Sequence, residues 1–422
     1  MSSYRGRLGC STKWGYPVCG GVLKRTDALA GLTEVHPRSR KLVLFALSLV
    51  STCVALLSAP LSFAQDDSDQ ILTIDHYIQH VSTVPAIAGQ HVQLYLRERV
   101  QAGTALRSVS STPVVLFVHG AGSGSVGFDL RYEDYSWMAY VAQAGFDAFG
   151  LDLTGYGSST RPALMDEPCN ASPAQQALLV PVVIPQACSP TLSTQLTTIP
   201  SDWDDIGSAV DYLRGLRDVD RVSFVSWSLG GTRAAGYAAL HPEKVDRLVM
   251  LAPGYDTANP TSKPPEGAEA GVPMSLQARA SWVAGMDGMV HCDDQVDPAT
   301  RDPFWEQIQA SDSVGAGWGP GMVRSPSAPG WRWNTSVAAK VQAPTLLVSG
   351  EFDSLSIFSF PDTIRAAYTD LGTSHKVFMT LACSSHFAPY ERRHSILFQA
   401  SVDWLQNGSI NGMSEGTLRL GD

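Results

Sequence analysis

The feature that most constrains the fold is the segment at residues 222–231, VSFVSWSLGG. Residues 221–225 are rich in β-branched and aromatic side chains, which predicts a buried strand. Residues 232–240 are rich in alanine and predict a helix that ends at His241 and Pro242. Because so few residues separate the strand from the helix, we expect a sharp turn between them, with Ser228 at its centre.

The turn has the spacing of a nucleophile elbow, G-x-S-x-G, with Ser226 in place of the first glycine. Such a turn strains the central serine, raises its hydroxyl above the edge of the sheet and directs the first N–H groups of the helix toward it. Small flanking residues are needed because neighbouring backbone approaches closely. The five residues alone also fit an ordinary serine in a strand–helix turn, so the assignment needs further residues.

The N-terminal residues differ in composition from the rest of the chain. Residues 1–41 contain eight Lys and Arg against two Asp and Glu, and residues 42–61 form an uncharged, mostly apolar run. The small residues Ser62 and Ala64 follow it, so residues 1–64 are predicted to be an N-terminal extension and a signal peptide cleaved after Ala64. We therefore expect a secreted or periplasmic protein. An uncleaved membrane anchor at 42–61 is the alternative.

Residues 65–422 are acidic. They carry 22 Lys and Arg against 38 Asp and Glu, a net charge of −16 over 358 residues. This charge repels nucleic acid and anionic membrane surfaces, so we expect neither as a partner once the signal peptide is removed. Four cysteines remain in this part, and an even number in an exported chain predicts two disulfides. They are Cys169, Cys188, Cys292 and Cys383.

Strand and helix signals alternate from Ile71 onward. Residues 71–80 and 91–100 are expected to form an antiparallel pair. Later apolar runs predict buried strands at 113–119, 148–153, 245–251, 344–348 and 376–381. Helices are predicted at 137–144 and 392–405. A third helix is predicted to begin at the capping box formed by Ser201 to Asp204. This alternation predicts a mainly parallel sheet covered on both faces.

Polar side chains follow several of the predicted strands, where parallel sheets place their functional sites. Residues 119–124, HGAGSG, form a flexible turn after the first buried parallel strand. Asp353 follows the strand at 344–348, and His386 follows the strand at 376–381. A serine hydroxyl becomes a good nucleophile when an imidazole takes its proton, and a carboxylate fixes the tautomer of that imidazole. The chain order of the three groups is serine, acid, histidine.

These segments together resemble the α/β-hydrolase fold family. The resemblance also includes residues 151–158, LDLTGYGS, which are similar to the D-x-x-G-x-G-x-S segment of the family. It covers roughly residues 70–160, 200–255 and 340–405. It implies an α/β-hydrolase core at 65–253 and 341–422, with a surface insertion at 160–200 and a cap at 254–340.

The resemblance implies Ser228 as nucleophile, His386 as base and Asp353 as the acid that orients it. The N–H groups of Ala121 and Leu229 would form the oxyanion hole, with no cofactor and no metal. Serine at this position disfavours epoxide hydrolase and haloalkane dehalogenase chemistry, which uses aspartate there. Among other residues, Glu351 competes for the role of the acid, and His375 and His394 compete for that of the base.

The predicted cap contains five of the ten tryptophans, which favours a small-molecule ester with apolar or aromatic groups as substrate. The alternative is that these tryptophans form the small core of the cap itself. Trp227 and Gly122 are expected at the substrate pocket. The oligomeric state is left open.

One pair of cysteines is expected within the insertion at 160–200, and the other is expected between the cap and the core. Cys169 and Cys188 share the insertion at 160–200, and a Cys292–Cys383 bond would tie the cap to the loop that carries the base. Free, buried thiols are the alternative.

The resulting hypothesis is a secreted serine hydrolase that cleaves a carboxylic ester or a lactone through an acyl-enzyme. A hydrolase of C–C bonds next to a ketone, and a catalytically silent binding module of the same fold, are the alternatives.

Overall fold

The computed structural model describes residues 70–105, 112–355 and 360–422. The expected signal peptide at 1–64 and the alternative anchor at 42–61 lie outside these residues. Within the described ranges, no helix combines the length and the apolar character that crossing a bilayer requires.

The central sheet has nine strands in the described residues. Their bounds are Ile71–Val81 (β1), His91–Gln101 (β2), Val114–Val118 (β3), Asp147–Asp152 (β4), Val222–Trp227 (β5), Val245–Leu251 (β6), Thr345–Gly350 (β11), Lys376–Leu381 (β12) and Gly416–Leu420 (β13). Four short strands lie outside this sheet: Tyr255–Asp256 (β7), Met274–Ala278 (β8), Met322–Pro326 (β9) and Trp333–Asn334 (β10).

The order across the sheet is β1-β2-β4-β3-β5-β6-β11-β12-β13. β2 pairs antiparallel with both β1 and β4, and every other neighbouring pair is parallel. The expected antiparallel opening pair and the mainly parallel sheet are therefore confirmed. Because β3, β5, β11 and β12 run in one direction, the loops that follow them emerge at one edge of the sheet.

The helices cover the sheet and fill the insertions. Their bounds are Ala102–Ala105, Trp137–Gln143, Pro173–Gln176, Ile199–Arg217, Leu229–Leu240, Arg279–Asp287, Arg301–Ala310, Ser313–Ala316, Thr335–Ala338, Phe360–Asp370 and His394–Asn407, with 3-10 turns at Pro85–Ile87, Gly124–Phe128, Ala163–Asp166, Pro168–Asn170, Pro298–Thr300 and Ala388–Tyr390.

One predicted helix start is wrong. The Ile199–Arg217 helix is capped by Thr198, not by Ser201. The Thr198 hydroxyl accepts from the Ser201 N–H at 3.1 Å, and the Ser201 hydroxyl accepts from the Thr198 N–H at 3.0 Å. Pro200 fits the first turn because the first N–H groups of a helix have no partner within the helix. The capping box therefore has the form T-x-x-S and lies three residues earlier than expected.

Burial explains why the central strands read as continuous apolar runs. All residues of β3, β4 and β5 are buried, since helices pack on both faces of the sheet. The main hydrophobic cluster extends from the sheet into the cap through Trp282, Phe304 and Trp305. A second cluster includes Met165, Leu196, Met274 and Trp318, and lies between the insertion at 160–200 and the two-stranded sheet of β8 and β9.

Two disulfides hold the insertions, in the same pairs that we expected. Cys169 is bonded to Cys188, with their Cα atoms 5.3 Å apart. Cys292 is bonded to Cys383, with their Cα atoms 6.0 Å apart, so the cap is linked to the loop after β12. All four cysteines belong to one compact unit with the sheet.

Peptide mapping without reduction tests this pairing. We expect one linked peptide pair that contains Cys169 and Cys188, and a second that contains Cys292 and Cys383. The first bond joins residues that are 19 positions apart, and closing this loop is worth about 3 kcal/mol of stability in the chain-entropy description. Recovery of a 169–292 or 188–383 peptide, or alkylation of four free thiols, contradicts the pairing.

Candidate active site

Ser228 lies at the junction of β5 and the Leu229–Leu240 helix, with φ 58° and ψ −124°. A residue with a Cβ rarely adopts a positive φ, and such a backbone conformation costs about 1–3 kcal/mol. Hydrogen bonds on both sides hold it in place. The Ser228 N–H donates to the Leu251 carbonyl at 2.9 Å, and the Gly231 N–H donates to the Ser228 carbonyl at 2.9 Å.

Close packing around the turn requires glycine at two positions. A Cβ on Gly230 would lie 2.1 Å from the Val118 carbonyl oxygen, and one on Gly120 would lie 2.9 Å from the Ser228 Cβ. The residue that departs from the usual motif is Ser226, which is fully buried. Its hydroxyl lies 3.5 Å from the Val249 carbonyl of β6. A small polar residue is therefore accommodated at the first position of the motif.

His386 and Asp353 are in contact. The Nδ1 atom of His386 lies 3.1 Å from each carboxylate oxygen of Asp353, and both side chains are buried. This contact favours the tautomer with the proton on Nδ1, which leaves the Nε2 lone pair as the basic site of the ring. Asp353 follows β11 and His386 follows β12, as the sequence predicts.

The competing acid is engaged elsewhere. Glu351 accepts from the Cys383 N–H at 2.9 Å and from Arg419 Nη2 at 2.9 Å. The hydrogen bond from Arg419 lowers the pKa of the Glu351 carboxyl. Glu351 therefore fixes the backbone of the loop before His386, whereas Asp353 contacts its imidazole.

The two competing histidines also have other partners. The Nε2 atom of His375 lies 2.5 Å from the Gly408 carbonyl oxygen, and the Nδ1 atom of His394 lies 2.7 Å from the Glu391 carbonyl oxygen. His394 also pairs with Asp134 at 3.2 Å. Of the three candidate bases, His386 is the one that contacts Asp353 in the structure.

His119 supports the turn after β3. Its Nε2 accepts from the Leu153 N–H at 3.2 Å, so the proton lies on Nδ1, which donates to the Gly120 carbonyl at 2.7 Å. Complete burial, together with the charge of Arg233, lowers the pKa of His119 to about 3. A neutral imidazole with both nitrogens engaged has a structural function here.

A cavity of about 280 Å³ opens beside Ser228. Ala121, Trp227 and His386 line it together with Ser228, so four of the residues predicted for the site meet there. Gly122 does not belong to its lining, in contrast to the expectation from the sequence. A Cβ on Gly122 would contact the Gln277 side chain at 3.1 Å, and it is Gln277 that faces the cavity.

The lining combines apolar and polar side chains. The apolar residues are Trp227, Trp282, Phe304, Leu355 and Phe387, and the polar residues besides Ser228 and His386 are Ser123, Gln277 and Ser281. Of the five cap tryptophans, Trp282 is the one that lines this cavity, and it stacks on Phe304 with ring centroids 4.3 Å apart. The other four are buried by packing within the protein. The cap therefore contributes one wall of the cavity, and its other tryptophans join the hydrophobic clusters that it shares with the sheet and with the insertion at 160–200.

Two contacts that the sequence analysis missed hold the His386 loop. The Trp227 indole N–H donates to the His386 carbonyl at 2.8 Å, which joins the residue before Ser228 to the expected base. Glu391 accepts from the Ser385 N–H at 2.9 Å and from Gln295 Nε2 of the cap at 2.9 Å. Burial raises the pKa of the Glu391 carboxyl. Glu391 stands five positions after His386, and an acidic residue so close to a candidate base is the sequence signal that could have indicated its role.

Another serine, histidine and aspartate are in contact at a place away from this cavity. His80 Nδ1 is 2.8 Å from Ser208 Oγ, and His80 Nε2 is 3.2 Å from Asp205 Oδ1. The hydrogen bond to Asp205 raises the pKa of His80. Ser208 lies inside the Ile199–Arg217 helix with no positive φ, so nothing strains or projects its hydroxyl. Asp205 also accepts from the Thr154 N–H at 2.8 Å, and the group joins a helix to the sheet.

The described residues contain no cluster of His, Cys, Asp and Glu side chains that could hold a metal ion.

Comparison with known proteins gives the family. The family model for the α/β hydrolase fold matches residues 113–391, about two thirds of the chain. A rice protein (Oryza sativa subsp. japonica) named a probable 1-acylglycerol-3-phosphate O-acyltransferase is 25% identical over an alignment of 287 residues that covers 64% of this chain and 55% of that protein. The chain thus spans little more than half the length of this curated relative.

Solved structures are similar over most of the chain at low identity. A thermophilic esterase from Thermogutta terrifontis is 14% identical and has a TM-score of 0.44, with 79% of this chain and 100% of the esterase covered. Potato (Solanum tuberosum) epoxide hydrolase I is 16% identical and also has a TM-score of 0.44, with 79% and 99% covered. The match to the family model is therefore what assigns the chain to a family.

Substitution of each of the two acidic residues after β11 by its amide tests which of them orients His386. Asp353→Asn replaces the acceptor on Nδ1 with an amide that favours the wrong tautomer, so kcat for p-nitrophenyl acetate should fall about 10⁴-fold. Glu351→Gln is the matched control, and it should change kcat by less than about 10-fold. A larger loss in Glu351→Gln than in Asp353→Asn would assign the acid to Glu351.

Proposed function

Because this chain belongs to the α/β-hydrolase fold family, we propose that it is a serine hydrolase that cleaves a carboxylic ester or a lactone. The observation that carries the proposal is the position of Ser228. Its backbone is strained at a strand–helix junction, and it shares one cavity with a histidine held by a buried aspartate. Strain of this kind persists where the surrounding structure enforces it, and it is concentrated at functional sites.

The proposed reaction proceeds in two halves. His386 Nε2 takes the proton from the Ser228 hydroxyl as the oxygen attacks the ester carbonyl, and the alcohol then leaves with that proton. Water attacks the acyl-enzyme in the same way, which releases the acid and returns the proton to Ser228. Asp353 stabilises the imidazolium that forms in each half.

The N–H groups of Ala121 and Leu229 would stabilise the tetrahedral oxyanions. Ala121 lines the cavity, and Leu229 is the first residue of the helix that begins after Ser228. The first N–H groups of a helix have no partner within the helix and carry its positive end. Removal of a single such donor typically costs about 10²–10³-fold in kcat.

The cavity favours a small ester with an apolar or aromatic group. Its volume of about 280 Å³ lies just below the range of about 300–1,000 Å³ that is typical of small-molecule sites. Trp282 and Phe304 supply a stacked aromatic wall, while Gln277 and Ser281 offer hydrogen bonds to a polar atom of the substrate. No cofactor or metal takes part in this proposal.

We further propose that the protein acts after export, in the periplasm or outside the cell. The two disulfides support this location, because such bonds persist in oxidising compartments. The acidic charge of residues 65–422 supports a small-molecule substrate over nucleic acid or an anionic membrane surface.

Two other reactions use the same groups. A C–C bond next to a ketone can be hydrolysed by the same three residues. An acyl-enzyme can also transfer its acyl group to an alcohol, and the rice relative is named a probable O-acyltransferase. Product analysis distinguishes the three reactions. Acid and alcohol result from ester hydrolysis, acid and a fragment with a new C–H bond result from C–C cleavage, and a new ester results from transfer.

Fluorophosphonate labelling combined with Ser228→Ala tests the proposal. The wild-type protein should become covalently labelled, and it should hydrolyse p-nitrophenyl acetate. Ser228→Ala should remove the labelling and lower kcat by roughly 10⁴-fold or more, since no other residue replaces the nucleophile. Ser208→Ala is the matched control, because Ser208 also contacts a His–Asp pair but lies inside a helix. It should retain both labelling and turnover.

Labelling that persists in Ser228→Ala would contradict the assignment of the nucleophile. A wild-type protein that is not labelled, and that hydrolyses none of a series of p-nitrophenyl esters of graded chain length, would favour the silent binding module instead.

A further inference from the structure

We propose that Arg233 is the positioning residue that sets the orientation of the Ala121 N–H in the oxyanion hole. The inference rests on the proposed function, because it assigns a role within the same site. Arg233 is the single charged residue of the Leu229–Leu240 helix, and its side chain is fully buried. It stands four residues after Leu229 and therefore on the same side of the helix.

The guanidinium binds the turn that precedes Ala121. Arg233 Nη1 donates to the carbonyl oxygen of His119 at 2.8 Å and to that of Gly120 at 2.9 Å. The Gly120 carbonyl belongs to the same peptide group as the Ala121 N–H. In a planar trans peptide the C=O and N–H bonds point in opposite directions. A guanidinium that holds the Gly120 oxygen therefore fixes the direction of the Ala121 N–H.

The same contact strengthens the donor. A hydrogen bond from a charged group to a carbonyl is stronger than one between neutral groups. It polarises the peptide, and chains of hydrogen bonds reinforce one another in a medium of low dielectric constant. The Ala121 N–H becomes a better donor because the oxygen of its own peptide is held by a cation.

Arg233 also links the two proposed donors to each other. Leu229 supplies one N–H at the start of the helix, and Arg233 extends from the next turn of that helix to the peptide that supplies the second. His119 Nδ1 donates to the same Gly120 oxygen, so two side chains hold this peptide besides the flexible glycines at 120, 122 and 124, and Arg233 is the one that comes from the helix of Leu229. Glycines in such a turn make the backbone adaptable, so an external anchor is needed to keep one orientation.

The remaining contacts hold the guanidinium itself. Arg233 Nε donates to Asp202 at 2.8 Å, and the two charges are buried together. The charge also lies 5.4 Å from the centre of the Tyr156 ring, within the range of a cation–π contact. Because desolvation offsets much of the attraction in a buried pair, the pair is expected to act chiefly on the orientation of the groups that it contacts.

Arg233→Lys is the main test. Lysine keeps the charge opposite Asp202, but its single ammonium lacks the planar fork that reaches Asp202 and two carbonyls at once. With p-nitrophenyl acetate, kcat should fall about 100-fold, the loss expected for one misplaced oxyanion donor. KM should change by less than about threefold. The rate of fluorophosphonate inactivation and the affinity for a trifluoromethyl ketone, whose adduct carries an oxyanion, should fall with kcat.

Arg217→Lys is the matched control. Arg217 is a buried arginine that pairs with two carboxylates, Glu98 and Asp147, and it contacts neither the turn after β3 nor Ser228. The Arg217→Lys variant should lower the Tm as Arg233→Lys does, while its kcat should change by less than about threefold. If Arg233→Lys does not fold, the double variant Arg233→Met with Asp202→Asn removes both charges and should show the same loss of kcat.

The outcomes separate this inference from the proposed function. If the wild-type protein is labelled while Arg233→Lys and the double variant keep the wild-type kcat, the positioning role is wrong and the serine hydrolase proposal stands. Equal losses of kcat in Arg217→Lys and Arg233→Lys would also overturn it, because the effect would then follow stability. A wild-type protein without labelling or turnover contradicts the proposed function itself.

Discussion

The sharp turn at Ser228 is the constraint on which the rest of the site depends. A positive φ at a serine is held by the close approach of three segments: the turn after β3, the end of β5 and the start of the following helix. Glycine at 120 and 230 permits this approach, and burial of the central strands provides the free energy that maintains the strain. A side chain at either glycine would push the segments apart and relax the turn.

Environment gives chemically similar carboxylates different functions in this structure. Asp152 accepts from the Ser125 and Ser158 N–H groups at 2.6 and 2.7 Å and so shapes its own loop. Burial raises the pKa of Asp202 to about 6, although its pair with Arg233 acts in the opposite direction. Glu391 joins the cap to the loop after β12. Asp353 contacts an imidazole that lines the cavity, which makes it the carboxylate suited to a catalytic role.

The sequence predicts features that depend on local pattern, and it fails where distant segments meet. The apolar runs of β3 and β5 identify buried strands because their burial does not depend on the details of their neighbours. The sequence predicts Gly122 at the pocket, but the Gln277 side chain from the cap covers Gly122, and no periodicity in the sequence indicates which cap residue reaches that point. Arg233 could have been noticed as the single charge in an alanine-rich helix, yet its partners on the turn after β3 lie more than 100 residues away.

The central claim is that Ser228 carries the acyl group during turnover, and mass spectrometry of a trapped intermediate tests it most directly. The protein is mixed with an excess of a p-nitrophenyl ester, quenched in acid within the first turnovers and digested. The account predicts that the peptide containing Ser228 gains the mass of the acyl group. When the quench is delayed until all the ester has been consumed, this added mass should be gone. An acyl group on another residue, or steady turnover with no covalent adduct at any time, would contradict the account.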